Sequence, residues 1–248
     1  MVRNTKSNTF AEILKKEIDN KIYPFGSCIP SERELSKKYA LNRSTIRTAI
    51  ASLVEDGYLT KVQGRGNFVT KNNNTKLQIN FRGMSDLLKN VGFNPSSKII
   101  AIDIRKAGYK LSKIFNISED EIIFRIMRLR LGNDEPISIE DTYVPYSLIP
   151  NIDKIDFQIY SLYDIFAAHE IQLDHINQVY TSTRVRNIEA RLLNLNDGDS
   201  VISVSITGYI KENIAVEYTE VLVIDSFSRF YTDSYFESGE VKTYAQIN

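Results

Sequence analysis

Phe10, Ile13, Leu14, Ile18 and Ile22 recur at helical spacing, which predicts a first amphipathic helix of about three turns ending before Pro24 and Gly26. Ser31 and Glu34 have the S-x-x-E spacing of a capping box, and Leu35 and Tyr39 follow on one face. A short second helix is therefore expected to run to about Ala40. After a tight break at Leu41-Asn42, Asn42 stands where it would cap a third helix. There Ile46, Ala49, Ile50 and Leu53 follow the i, i+3, i+4, i+7 pattern of a buried stripe. Beyond Gly57, residues 58–62 and 67–70 read as two short strands joined by Gln63-Gly64-Arg65-Gly66.

The pattern changes after the polar run Lys71-Asn72-Asn73-Asn74-Thr75-Lys76, which has no apolar periodicity and is expected to be a linker. Residues 98–105 and 122–131 alternate or run β-branched, 201–210 alternates strongly, and 215–224 has a strand-like Val/Ile/Tyr composition. Asn133-Asp134 and Lys211-Glu212-Asn213 are turns by composition. Residues 111–115, 162–168 and 188–193 read as short helices. No fixed-period repeat is visible. The pattern predicts an α+β chain: a small helical head with a β-hairpin, joined to a mixed, mainly antiparallel sheet domain with helices on one face.

Composition sharpens this division. The formal net charge of zero hides an asymmetry: residues 1–76 carry 14 Lys and Arg against 7 Asp and Glu, a net of +7, and residues 77–248 carry 17 against 24, a net of −7. A basic head on an acidic body points to a polyanion partner for the head, because clustered cations gain affinity for phosphates by releasing counterions. Cys28 is the only cysteine, which excludes an internal disulfide framework and a Cys-rich metal site. It is expected to be a small buried or half-buried residue. The N-terminus lacks an apolar leader core and no run of about eighteen apolar residues occurs, so a soluble, cytoplasmic protein with no membrane partner is expected.

Arg43, Ser44, Thr45, Arg47 and Thr48 crowd the polar face at the start of the third helix. Arginine bridges guanine O6 and N7, hydroxyls and backbone N–H groups grip phosphates, and a helix N-terminus favours an anion. A helix, a short turn and a polar second helix follow the helix-turn-helix pattern, in which the second helix enters the major groove. The hairpin adds Lys61 and Arg65 at or near its tip, with glycines that permit close backbone approach. Its G-x-G joins strands and does not open a helix, so a dinucleotide site is rejected.

The run PSERELSKKYALNRSTIRTAIASLVEDGYLTKVQGRGNFV closely resembles the winged helix-turn-helix of GntR-type regulators. The resemblance implies that Arg33, Arg43, Ser44, Thr45, Arg47, Gln63 and Gly64 meet double-stranded DNA, with Arg43 and Arg47 the expected base contacts. Arg33 could instead be an ion-pair partner within the head. The remainder resembles the UTRA effector-binding domain of the HutC branch, which shares its fold with chorismate lyases. The residues that carry this resemblance are Phe81-Arg82-Gly83-Met84-Ser85-Asp86, the strand around Arg125, Arg128 and Arg130, the run from Glu135 through Glu140 to Tyr143 and Pro145, and Ser161-Leu162-Tyr163-Asp164. Domain limits of 1–70 for the DNA-binding head, 71–76 for the linker, 77–240 for an effector-binding and dimerisation domain and 241–248 for a tail follow from both readings.

Arg128 and Arg130 are two residues apart on an expected strand and share a face. They read either as a pocket for a phosphate or carboxylate, with Glu140 and Tyr143 bonding hydroxyls or an amine, or as a solvent face paired with acidic neighbours. Arg82, Gly83, Met84 and Ser85 open a helix that suits a phosphate, although Arg82 and Gly83 depart from the family's turn, and 223–230 departs from a common Tyr-Arg-Gly-Asp-Arg-like run. Ser161 is a further candidate, and Glu217 matches a position implied to contact sugar-like effectors or lies on a surface strand. His169 and His175 do not have zinc spacing, and no hydrolase, Walker or Cys/His nucleophile motif occurs, so no metal, cofactor or catalytic residue is expected. The expected protein is a homodimeric repressor on a pseudo-palindromic operator, controlled by a small anionic effector. A phosphorylated amino sugar is first, a carboxylate second and a fatty acid third, with a lyase-like enzyme fused to a DNA-binding head as the alternative class.

Overall fold

A computed structural model describes residues 6–70, 88–89, 92–224, 230–237 and 240–247. The chain divides into two units, Met1–Gln78 with Pro150–Ile171, and Ile79–Ile149 with Gln172–Asn248. Among the described residues, no helix is long and apolar enough to cross a membrane.

In the first unit, helices α1 (Lys6–Asp19), α2 (Glu32–Tyr39) and α3 (Arg43–Glu55) precede strands β1 (Leu59–Val62) and β2 (Gly66–Val69). The core is built by Phe10, Leu14 and Ile18 of α1, Leu35 of α2, and Ile46, Ala49, Ile50 and Leu53 of α3, closed by Tyr58, Leu59 and Val69. Ile13 and Ile22 are exposed instead, and Ile22 lies beyond the end of α1. The Ser31–Glu34 capping box forms in full, whereas Asn42 occupies the N-cap of α3 without a side-chain bond. Ala40 ends α2 in the left-handed region at φ 51°, which turns the chain sharply into α3.

Ser27 and Cys28 extend the wing: Cys28 bridges Phe68 on β2, and Ser27 bridges Ile155. Cys28 is exposed, contrary to the buried or half-buried place expected for it, because this added strand sets its thiol over the hairpin, facing the Arg65 carbonyl at 3.7 Å. Helix α5 (Leu162–Ala168) carries its own capping box, Ser161 with Asp164.

The second unit is an α+β domain around a six-stranded antiparallel sheet in the order β3-β4-β5-β8-β7-β6. Its strands are β3 (Pro95–Lys106), β4 (Ile122–Gly132), β5 (Glu135–Pro145), β6 (His175–Arg184), β7 (Ser200–Ile210) and β8 (Ile214–Ile224). The turns at Asn133-Asp134 and Glu212-Asn213 have positive φ at both residues, the backbone a tight hairpin needs and the reason Asn and Asp serve there. Helices α4 (Gly108–Phe115) and α6 (Asn187–Leu192) cover one sheet face. Leu111 and Phe115 pack on Ile123, Tyr143 and Tyr218, and Ala190 and Leu193 pack on Leu129, Ile139 and Val201. Strands β9 (Phe230–Glu237) and β10 (Glu240–Ile247) form a separate antiparallel ribbon that includes residues expected as a tail. The linker 71–76 lies outside the described residues.

Candidate functional site

Because α3 commits Ile46, Ala49, Ile50 and Leu53 to the core, its other side must face out, and Arg43, Ser44, Arg47 and Thr48 are exposed with Thr45 half-buried. The Thr48 hydroxyl donates to the Ser44 carbonyl at 3.0 Å. Arg47 is held by Glu32 in α2: its Nε lies 3.1 and 3.2 Å from the two carboxylate oxygens and its Nη2 lies 2.8 Å from Oε2. That fork lowers the proton affinity of Glu32 and raises that of Arg47, in both cases chiefly through the hydrogen bonds between them. Glu32 was missed in the sequence. It reads as an N-terminal helix residue that favours the dipole, and its reach to Arg47 depends on how α2 and α3 cross. Arg33 is exposed on the next position of α2. Gln63, Gly64 and Arg65 are exposed at the hairpin tip, where Gly64 adopts φ 75°. The arrangement presents hydroxyls, guanidiniums and a helix N-terminus together, the chemistry that engages a nucleic-acid backbone and base edges.

In the sheet domain, strand parity and register assemble a polar stripe on the face opposite α4 and α6. Arg130 pairs in register with Ser97 on one side and Ser138 on the other. Arg128 opposes Glu140, Thr142 opposes Thr219, and Glu217 opposes Gly208. Arg128, Arg130, Glu140, Glu217, Ser138, Thr142 and Thr219 are all buried, so the solvent-face reading of the two arginines and of Glu217 does not hold. Arg128 Nη2 donates to Glu140 Oε2 at 2.9 Å, and Arg130 Nε lies 3.5 Å from Oε1 of the same carboxylate. Arg130 also donates to Ser97 Oγ at 2.5 Å. Burial is the main influence on Arg130 and pulls its affinity for a proton down, with Arg128 adding to that and Glu140 opposing it. Thr219 donates to Glu217 Oε1 at 2.8 Å. Arg128 Nε and the Ser138 hydroxyl are buried without a hydrogen-bond partner. A Cβ at Gly208 would stand 3.2 Å from Glu217 Oε2 and 3.3 Å from Leu173 Cδ2, so glycine there lets the strand lie close against that carboxylate.

Tyr143 is not part of this stripe. Three residues beyond Glu140, it points to the helix-covered face. There it packs against the α4 cluster and donates to Asp141 at 2.7 Å, and burial together with Asp141 holds its hydroxyl proton more tightly than usual. Arg125 lies on that face too, gripped by Asp141 and Asp103. Ser161 belongs to the first unit, where its hydroxyl is taken up by the α5 cap. Arg82, Gly83, Met84 and Ser85 lie outside the described residues. Ser97, Ser138, Thr142 and Thr219 were missed, although Ser138 and Thr142 flank Glu140 at spacing two within an otherwise apolar strand, the signal that would have found them. Among the described residues no cluster of His, Cys, Asp and Glu is placed to hold a metal.

Comparison with known proteins bears on both units. The family described as bacterial regulatory proteins, gntR family, matches residues 6–69, and the UTRA domain family matches residues 90–225. The HTH-type transcriptional repressor NagR of Bacillus subtilis is 29% identical over 84% of this chain and 86% of its own length. A probable fructoselysine utilization operon transcriptional repressor of Shigella flexneri is 31% identical over 64% of this chain and 65% of its own. The crystal structure of PhnF from Mycobacterium smegmatis shares the fold with a TM-score of 0.57 at 18% identity, covering 87% of this chain and 94% of that one. The two sequence relatives are repressors of transcription and not enzymes, and the surface that α3 and the hairpin expose fits that role. The chain therefore belongs to the GntR family of bacterial transcription regulators, with an N-terminal DNA-binding helix-turn-helix followed by a UTRA domain.

Proposed function

We propose that the protein is a homodimeric cytoplasmic repressor whose hold on a pseudo-palindromic operator is released by a small anionic effector bound on the buried polar stripe, of the class of phosphorylated amino sugars. Its head, residues 1–70, meets DNA through Arg33, Arg43, Ser44, Thr45, Arg47 and Thr48 and through Gln63, Gly64 and Arg65 at the wing. Its body, residues 77–240, binds effector and partner. The observation that carries the effector reading is the buried Arg128 Nε and Ser138 hydroxyl, donors with no acceptor beside a guanidinium pair that shares Glu140. An unmet buried donor costs about 1–3 kcal/mol, so a ligand that brings acceptor oxygens is bound with that cost removed. Glu217, a buried carboxylate on the same stripe, would accept from hydroxyls or an amine, which favours an amino sugar over a plain anion. The fructoselysine name of one relative is in keeping with this class.

Dimerisation is supported by the sheet edges. Edge strand β3 is guarded by Pro95, Lys98, Lys106 and a bulge between Ile99 and Ala101. The other edge, β6, has ten residues, nine of them exposed, with no proline, lysine or bulge. An unguarded edge invites a strand. A second copy of β6 paired about a dyad at Val179 sets Arg184 opposite Asp174 at both ends.

Thermal melting against glucosamine 6-phosphate, other sugar phosphates, amino acids, organic acids and a fatty acid tests the effector. A ligand at 100 times its Kd adds about 2.7 kcal/mol of stability. The expected result is stabilisation by a sugar phosphate that Arg128→Ala and Arg130→Ala abolish. No response to any anion overturns the reading.

A further inference from the structure

Within the first unit, the segment Pro150–Ile171 is docked on the winged head. Ile155 continues the wing sheet by bridging Ser27, and the Asp156 amide donates to the Gly26 carbonyl at 3.0 Å. The contact is close enough to require glycine: Gly26 has φ 79°, and a Cβ there would stand 2.9 Å from Ile155 Cγ2 and 3.2 Å from Ile165 and Tyr160 atoms. Phe25 and Tyr160 pack beside it with ring centroids 5.0 Å apart and their planes tilted by 60°. This docking brings Asp156 to the hairpin tip, where its Oδ2 accepts from Arg65 Nη2 at 2.6 Å. Its Oδ1 accepts from the Gln158 amide, which fixes the carboxylate's direction.

We propose that Asp156 stands in for a DNA phosphate on the wing, so that the docked segment and operator DNA compete for Arg65. This rests on the reading that the wing meets DNA. A carboxylate aimed at a tip guanidinium satisfies the group that would otherwise neutralise a phosphate, and it repels the phosphate that approaches. The segment lies in the chain between β5, which carries Glu140, and β6.

The test uses the full chain and a duplex that the parent protein selects from a random-sequence pool, with affinity measured by fluorescence anisotropy at several salt concentrations. Asp156→Asn keeps the oxygen that caps Gln158 and removes the charge. It is expected to bind about two- to fivefold tighter per head, the range of a half-exposed ion pair. Asp156→Glu, which keeps the charge, stays near the parent. Asp153→Asn, a matched loss of charge in the same segment, produces less tightening. Arg65→Ala weakens binding and lowers the salt slope by about 1, and in that background Asp156→Asn has no effect. Tightening that equals that of Asp153→Asn, or that persists without Arg65, overturns the capture while leaving the wing reading intact. An unchanged affinity and salt slope in Arg65→Ala overturns the wing reading itself.

Discussion

Glu140 is expected to matter more to stability than the arginine it faces. Arg128 and Glu140 have side chains 8% and 9% exposed, and Glu140 lies 2.9 Å from Arg128 and 3.5 Å from Arg130. Removing one member of a buried pair leaves the other charge in low dielectric, at about 3–5 kcal/mol. Glu140→Gln keeps an oxygen to accept from Arg128 Nη2, so the lower end applies, about 3 kcal/mol. At about 2–4 °C per kcal/mol for a protein of this size, the melting temperature falls by roughly 6–12 °C. Arg128→Met acts differently, because Glu140 keeps Arg130 and the unmet Arg128 Nε disappears with the guanidinium. Its expected cost is about 1–2 kcal/mol. The double variant Arg128→Met/Glu140→Gln should cost less than the sum of the two, since Glu140→Gln strands two guanidiniums and Arg128→Met removes one of them. Differential scanning calorimetry without ligand reads all three. A Glu140→Gln protein melting within about 2 °C of the parent, or an Arg128→Met protein less stable than Glu140→Gln, refutes this account of the stripe.

Three further outcomes are expected. Arg47→Ala loses about 1–3 kcal/mol of operator affinity with little change in effector binding, and equal operator affinity in mutant and parent counts against α3 as the reading helix. His169 is held below the ordinary histidine value of 6.5 by burial, with Lys21 acting in the same direction. The folded state therefore favours the neutral ring, and its contribution to stability is full above 6.5 and is lost as pH falls through that value toward the lower folded one. Urea midpoints measured from pH 7.5 to 5 should drop more steeply for the parent than for His169→Gln, and parallel curves would remove His169 from the explanation. Val179→Lys places a charge at the centre of the exposed β6 edge and should convert the proposed dimer to monomer in sedimentation velocity, whereas an unshifted dimer places the interface elsewhere.

Periodicity reads most of the head, though not Ile13 and Ile22. Leu35, Ile46, Ala49, Ile50 and Leu53 fall where a 3.6 repeat puts them, and the Ser31–Glu34 box forms as its spacing requires. Such features involve residues a few positions apart, and local spacing encodes them. Strands β5 and β6 were not legible in the same way. In β5 both faces are buried, so Ile137, Ser138, Ile139 and Glu140 give no inside-outside alternation, and in β6 nearly every side chain is exposed, so there is no apolar face to detect. Arg128 and Arg130 could be placed on one face by counting by two, but their partners Glu140 and Ser97 come from 12 and 33 residues away through a register that only the folded sheet sets. Tyr143 belongs with Glu140 to the run that carries the UTRA resemblance. Strand parity puts it on the opposite face, a distinction that needs the strand's extent to be known first.

The formal charge of the head overstates the cationic surface it offers to DNA. Lys38 lies on Glu17, Arg47 on Glu32 and Arg65 on Asp156, so three of its cations already face carboxylates. Each exposed pair is weak, worth about 0–1 kcal/mol, which makes it easy for a well-placed phosphate or guanine to displace the carboxylate. On the proposed reading, in which Arg47 meets a base edge, a phosphate that meets the head at random must do the same and gains less. Internal carboxylates therefore lower non-specific binding more than specific binding, raising discrimination at some cost in affinity. Arg128 and Arg130 take no part in this. Buried in the sheet, they release no counterions to DNA, and their charge acts only on what enters the domain. On the proposed reading the protein uses the same side chain for two purposes separated by burial: exposed and loosely paired where a polyanion would exchange with a carboxylate, and enclosed around Glu140 where a small anion would be recognised.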